Sequence, residues 1–426
     1  MTDREQQANA EFQPSTQQEL SRFVGDNARN ARHGLLPVGG RTSLVQSRLA
    51  ETGVKRIDLS QLNRIVDYPH RDMTITAEAG IRVHDLQSLL AKHKQQLPLD
   101  VPQSRRATLG GAVASNTYGP RCFGYGTLRD YVIGITAVDA SGRLFHSGGR
   151  VVKNVAGYDL CKLMIGSRGS LAIISQVTLK LRPLPESIRI LWTALPAFTD
   201  IDIVLECLTV SRTRPIALEV LNQVAAQQIA QETGTELSSN TPILAIGVEG
   251  SVQETEWQLA TLRDEIGHFG PLSMKTVDPQ QTAVVWNALT EFSTRCDAPL
   301  SFRIDLRPSQ TMRLMEQADQ HDIALIAHAG NGSIVGQLPE EGSAAEPYRS
   351  VMDSVRNQLN QSQGQLTILN CDRHWSDLQP VPGGSQAGWQ LMNSLKRNLD
   401  PQSLLNPGSH IHTATPASVV RTPEAE

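Results

Sequence analysis

Three short stretches of glycine and small hydroxylated residues carry the clearest chemical signal: "PVGGRTS" (37–43), "TLGGAVASNTYG" (108–119) and "GSRGSLAII" (166–174). In the first, consecutive glycines let backbone N–H groups turn inward on an anion, and the Thr42 and Ser43 hydroxyls add donors. It is not a Walker A loop, because the lysine and the spacing are absent. The nearest approach to a Rossmann fingerprint, "GNGSIVG" at 330–336, leads into apolar β-like sequence rather than a helix. In the second stretch, Gly110 and Gly111 fall where a helix would begin, which offers free N–H groups and the helix dipole to a pyrophosphate. Ala112, Ala114 and Ser115 keep that surface low enough for a flat ring. In the third, Gly166 and Gly169 precede a strand and permit close backbone approach. Three such loops in one half of the chain point to a long ligand gripped at several places, and a dinucleotide fits that better than a single phosphate.

Candidate side chains for chemistry are fewer. Arg303 and Arg307, in "FRIDLRP", could clamp a carboxylate as a fork or form surface salt bridges. Tyr158 and Asp159 open a short helical segment and read equally as residues beside the bound ligand and as an ordinary helix cap. Asp372, His374 and Asp377 in "CDRHWSD" read as a polar loop, and His410 and His412 fall in a polar C-terminal stretch. The five cysteines are scattered with no C-x-x-C pair, which argues against an iron–sulfur cluster ligated by this chain and fits free, buried thiols.

The elements that must position these residues alternate irregularly. Thr16-x-x-Glu19 reads as a capping box ahead of a helix with Leu20, Phe23 and Val24 on one face. Short strands follow at 35–38, "VKRIDLS", "RIVDY" and "MTITAEAG", then the amphipathic helix "VHDLQSLLAKHKQQ". "DYVIGITAVDASGRLFHSG" reads as a hairpin turning at Ala140-Ser141-Gly142, and "SLAIISQVTLKLRPLP" as a strand ended by prolines. After Pro185 the order strand, helix, strand suits an antiparallel sheet with helices on one side. The expected class is therefore α+β, with a tail at 1–15, a first domain at 16–187, a second at 188–376, a Pro/Gly-rich linker and C-terminal segment at 377–412, and a polar tail at 413–426. A net charge of −4 with no basic run argues against a nucleic-acid partner, and no apolar run is long enough to span a bilayer. The N-terminus has no apolar signal core, so a cytoplasmic protein is expected.

Taken together and in order, the three glycine stretches resemble the FAD domain of the vanillyl-alcohol-oxidase (PCMH) type. "ITAEAG", "YGTLRDYVIGITAVDASGRL" and "LDPQSLLNPG" match that pattern too. Residues 148–183 are similar to a stretch typical of the FAD-binding E subunits of bacterial glycolate oxidases. The resemblance implies a PCMH-type FAD domain of two α+β subdomains, an antiparallel α+β cap domain and a C-terminal segment returning to the FAD domain. It implies that Pro37, Val38, Gly39, Gly40, Arg41, Thr42 and Ser43 hold the pyrophosphate. It places Pro102, Thr108, Leu109, Gly110, Gly111, Ser115, Asn116 and Gly119 along the ribityl chain and isoalloxazine. It assigns Gly166, Gly169, Ser170 and Ile173 to the adenosine half or the flavin edge, and has Asn406 reach back from the C-terminus.

The chain departs from the pattern at three points. Arg41 replaces a third glycine, so that position is not expected to need a positive φ. No histidine lies in the three loops, and His33 sits four residues before Pro37, so FAD is expected to be bound non-covalently. Related dehydrogenases carry two histidines seven apart in H-x-G-D-G-N-x-H, which serve a divalent metal. Here His328 remains, Asn331 replaces the aspartate, and Val335 stands where the second histidine would be. A lone histidine does not make a metal site, so no metal is expected and His328 reads as a packed strand-end residue or a weak catalytic candidate. The resemblance implies an FAD-dependent 2-hydroxyacid oxidoreductase that converts glycolate or a related 2-hydroxy acid to the 2-oxo acid within a complex. The alternative is a non-catalytic FAD-binding scaffold or electron relay. Either implies a second flavoprotein subunit and an iron–sulfur subunit as partners, with any attachment to the inner membrane face made through them.

Overall fold

The computed structural model of the chain describes residues 11–43, 54–149, 159–237, 240–294, 298–339, 364–371 and 386–408, with parts of 352–359. Tyr158, Asp372, His374, Asp377, His410, His412 and Cys296 lie outside the described residues, as do most of the expected tails and linker.

The first half is built in two layers. Strand β1 (Gly34–Val38) pairs in parallel with β2 (Val54–Asp58). Phe12 bridges to Ile57 on one side and Leu405 to Leu35 on the other, so a late segment of the chain completes an early ribbon. The helix Gln17–Asp26 buries Leu20 and Val24 on this ribbon, against Leu35, Ile57, Ile173 and Leu405. Its start is half of the expected capping box. Thr16 Oγ1 accepts from Glu19 N at 3.1 Å, but the Glu19 carboxylate accepts from Ser15 N at 2.8 Å, one residue early.

The next layer contains β3 (Ile65–Asp67), β4 (Thr74–Glu78), the short β5 (Gln95–Gln96), β6 (Val132–Val138), β7 (Leu144–Gly148), β8 (Ile173–Lys180) and β9 (Arg182–Pro183). Five of these make an antiparallel sheet in the order β3-β4-β8-β6-β7, and β5 pairs with β9. Helices Val83–Ala91 and Leu109–Ser115 bury Leu86, Leu90, Leu109 and Val113 on it.

The second half begins its sheet with β10 (Ser187–Ala194), followed by β11 (Ala217–Leu221), β12 (Ile243–Gly250), β13 (Ser273–Thr276), β14 (Leu300–Asp305), β15 (Ala324–His328), β16 (Ser333–Gln337) and β17 (Gln365–Cys371). The order is β13-β10-β12-β11-β15-β16-β14-β17 and every pairing is antiparallel. The expectation of helices on one side is corrected here. Leu191, Leu218, Leu244, Leu325 and Ile334 face helices Phe198–Leu208, Val252–Gly267 and Thr311–Ala318. Their strand neighbours Trp192, Leu221, Ile243 and Ile326 face helices Gln223–Thr233 and Pro279–Glu291. A sheet covered on both faces needs apolar residues at successive positions, which is why "PILAIGVEG" lacks an in–out alternation.

The halves meet at a buried ionic junction. Arg121 pairs with Asp100, and its Nε lies 3.5 Å from Glu249 Oε2 in β12. Trp286 Nε1 donates to Asp100 Oδ1 at 2.9 Å, the Arg121 guanidinium lies 4.5 Å over the Trp286 ring, and the Tyr125 hydroxyl donates to Glu249. Burial works against the Arg121 charge, and Asp100 and Glu249 more than restore it, so its pKa is raised. Removing one member of such a set strands the others without a counter-charge. Arg121→Ala is therefore expected to cost about 3–5 kcal/mol in urea unfolding. A loss indistinguishable from zero would contradict the junction's structural role.

Candidate functional site

The glycine stretches take roles different from those their sequences advertise. The second was expected to offer a free helix start. Instead Thr108 caps that helix, and its first amides are taken: Leu109 N by Ile81 O at 2.8 Å, Gly110 N by Ala79 O at 2.7 Å and Gly111 N by Thr108 Oγ1 at 3.2 Å. Gly110 is needed for packing, since a Cβ there would press into Ala79 at 2.5 Å. The first stretch stays open. Among the described residues, no acceptor takes up the N–H groups of Gly39 to Ser43. Gly39 and Gly40 bring that loop against Thr108 and the Arg106 carbonyl, so close that a side chain on either would overlap them. The amides without a partner among the described residues thus belong to residues 39–43, not to the helix start.

Arg41 has φ +57, so the position adopts the left-handed conformation even without a glycine, contrary to the expectation from its side chain. Its guanidinium lies 2.6 Å from Glu11 and 3.8 Å from Asp58, so part of its charge is already compensated.

One cleft runs from this loop to the sheet of the second half. Its near wall includes Arg41, Thr42, Ser43, Pro102, Arg106, Ala112, Ser115, Gly119 and Arg168; its far wall includes Arg303, Ile326, His328, Val335 and Leu369. Asn116 Oδ1, between the lining residues Ser115 and Thr117, is buried with no partner among the described residues. The open amides, the low helix side and this orphaned acceptor fit an elongated polar ligand with a flat ring. Several expected contacts do not reach the cleft. Val38, Leu109, Ser170 and Ile173 are buried, and the Ser170 hydroxyl donates to Ser167 O at 2.6 Å. Gly169 has φ +68 and packs on Pro37, and Gly166, with φ +79, lies beside Asn116. From this third stretch it is Arg168 that lines the cleft. Asn406 holds it there, donating Nδ2 to Arg168 O at 2.6 Å, while Lys396 Nζ donates to Ser170 O at 2.7 Å. Arg307 is exposed and outside the cleft, so no Arg303–Arg307 fork exists.

His328, in the far wall, belongs to a polar row across four strands. Register places Glu219 of β11 opposite His328 of β15, His328 opposite Ser333 of β16, and Ser333 opposite Asp305 of β14. His328 Nδ1 lies 2.7 and 2.9 Å from the two Glu219 carboxylate oxygens. Tyr118, from the first half, donates to Asp305 Oδ1 at 3.0 Å and lies 3.1 Å from Ser333 Oγ. Burial drives the Tyr118 phenol up to about 12, so it remains a donor at neutral pH. Arg303 Nε donates to Asp305 Oδ2 at 3.1 Å, with the guanidinium 5.1 Å from the Tyr118 ring. Burial pushes His328 down, but the Glu219 charge and hydrogen bond outweigh it, and the pKa is raised. Glu219, Tyr118 and Asp305 had not been singled out. Glu219 did leave a signal: a carboxylate inside the apolar run "IALEVL" is rarely buried without a partner.

Residues 8–148 match the family model described as FAD binding domain. This chain carries an FAD domain. Residues 384–410 match the C-terminal domain of FAD linked oxidases, the segment that pins Arg168 and β1. D-2-hydroxyglutarate dehydrogenase of Xanthomonas citri pv. viticola is 26% identical over 89% of this chain and 84% of its own length. Glycolate oxidase subunit GlcE of Escherichia coli is 38% identical, but over only 29% of this chain and 35% of its own length. A solved alkyldihydroxyacetonephosphate synthase superposes with a TM-score of 0.67 at 17% identity, over 93% of this chain and 76% of that one. It shares the α+β PCMH-type fold.

If the FAD pyrophosphate sits on the open loop, Arg41→Glu should weaken FAD retention about tenfold, ~1.4 kcal/mol, relative to Arg41→Gly, which accepts the same φ. Equal retention after gel filtration would remove the electrostatic role of position 41.

Proposed function

We propose that this chain oxidises a small 2-hydroxy acid to the 2-oxo acid, with FAD bound non-covalently, as the FAD-binding subunit of a glycolate-oxidase-type assembly. The observation that carries this reading is the single cleft lined both by Arg41, Thr42 and Ser43 of the open loop and by His328 of the polar row. Flavin supplies a hydride acceptor for a substrate bound beside it. Gly39 to Ser43 hold the pyrophosphate, while Pro102, Ala112, Ser115 and Gly119 lie along the ring. Arg303 offers a guanidinium to the substrate carboxylate in a site where Ile326, Val335 and Leu369 exclude water. The D-2-hydroxyglutarate dehydrogenase relative supports the 2-hydroxy acid class, and the partial likeness to GlcE supports the subunit role. Among the described residues, no helix is long and apolar enough to cross a membrane, so membrane attachment is assigned to partner subunits.

Val335, in place of a second histidine, favours a second reading, in which the chain relays electrons between a catalytic flavoprotein and an iron–sulfur subunit. The purified FAD-loaded chain, mixed anaerobically with glycolate, D-lactate or D-2-hydroxyglutarate, separates the two. Catalysis predicts bleaching of the flavin absorbance within seconds by at least one acid. Flavin that stays oxidised with all three until partner subunits are added would overturn catalysis by this chain and leave the relay.

A further inference from the structure

The divalent metal of related dehydrogenases does not fit this cleft. Val335 occupies the second ligand position, and Nδ1 of His328 is already engaged by Glu219. Among the described residues, no group of three or more histidine, cysteine, aspartate or glutamate side chains is disposed to hold a metal ion. His328 and Glu219 bind each other, and the row's other carboxylate, Asp305, is engaged by Tyr118 and Arg303.

We propose that the Glu219–His328 pair stands in for that metal site, and that His328 Nε2 takes the hydroxyl proton of the substrate. This rests on the 2-hydroxy acid reading above. Direct opposition in the β11–β15 register, not a flexible loop, sets the pair's geometry. With Nδ1–H donated to the Glu219 carboxylate, the neutral ring carries its free lone pair on Nε2, which has no partner among the described residues. Glu219 is a positioning residue: it fixes the tautomer and stabilises the imidazolium that forms. The substrate O–H bond breaks and its proton passes to Nε2. The oxygen electron pair forms the C=O bond, the α C–H bond breaks, and its electron pair leaves with the hydride to FAD.

The groups bearing on His328 are Glu219 from β11, Arg303 from β14, Tyr118 with its ring centroid 5.9 Å away, and Asp100 from the junction. Burial and Arg303 lower its pKa, and Glu219 with Asp100 raises it further than they lower it. The acceptor must be neutral, so the rate is expected to climb with pH through an ionisation above the ordinary histidine value of 6.5. Removing the Glu219 charge leaves only Asp100 to oppose burial and Arg303, and moves that ionisation down.

Stopped-flow flavin reduction by D-lactate, glycolate and D-2-hydroxyglutarate across pH, on the FAD-loaded chain, tests this. His328→Gln is expected to retain FAD, lose on the order of 10²–10⁴-fold in reduction rate and lose the rising limb. Glu219→Gln is expected to shift the limb to lower pH and reduce the plateau. Chelator treatment is expected to leave the wild-type rate unchanged, and protein dialysed from excess Mn²⁺ to retain less than one equivalent. A His328→Gln profile identical to wild type, chelator-sensitive reduction, or one retained metal per chain would each overturn the proposal and leave the 2-hydroxy acid reading in place. Wild-type flavin reduced by none of the acids would instead remove that reading, and the proton acceptor with it.

Discussion

Buried charge at the contact between the two sheets is the constraint on which this structure depends. Asp100 and Arg121 come from the first half and Glu219, Glu249, Asp305 and His328 from the second, and most are almost fully covered. Such groups remain ionised in the interior only if each finds a counter-charge or a set of donors. Arg121 answers Asp100 and Glu249 across the junction, Tyr118 answers Asp305 and Ser333, and Glu219 answers His328 within the sheet. The contacts of Arg121 and Tyr118 hold the halves in the placement described above. That placement leaves the cleft between the open glycine loop and the polar row.

The two glycine pairs show how the same residue type solves different problems. Gly110 lets a helix lie against Ala79, and that contact consumes the helix amides its sequence seemed to offer. Gly39 and Gly40 let the first loop press on residues 106–108, and its amides have no acceptor among the described residues. Arg41 in a left-handed conformation belongs to the same solution, since the chain must turn there whichever side chain is present. A glycine motif thus locates a tight approach, while the hydrogen-bond partners decide whether its donors remain for a ligand.

Much of the fold was legible because it is local. The strands from 34 to 78, the hairpin turning at 139–143 and the helix Val83–Ala91 follow from alternation, turn residues and helical spacing. The α+β class and the FAD domain were legible for the same reason. Helices Gln223–Thr233, Pro279–Glu291 and Thr311–Ala318 were not. In the first, the buried positions are small alanines and one isoleucine, too weak a pattern to stand out. The Glu219–His328 pair was hidden for a different reason: its members are 109 residues apart, and only the register of two strands brings them together. His328 read alone is a packed histidine. Opposite Glu219 it becomes an oriented imidazole at a cleft.

The central claim is that the flavin loop and the Glu219–His328 pair serve one bound substrate. A crystal structure of the FAD-loaded chain with the 2-oxo acid product tests it most directly. The account predicts the pyrophosphate on residues 39–43, the isoalloxazine between the Ala112–Ser115 face and the second sheet, and the product's keto oxygen ~3 Å from His328 Nε2. A flavin ring directed away from the second sheet, or a product bound out of hydrogen-bond reach of His328, would contradict it.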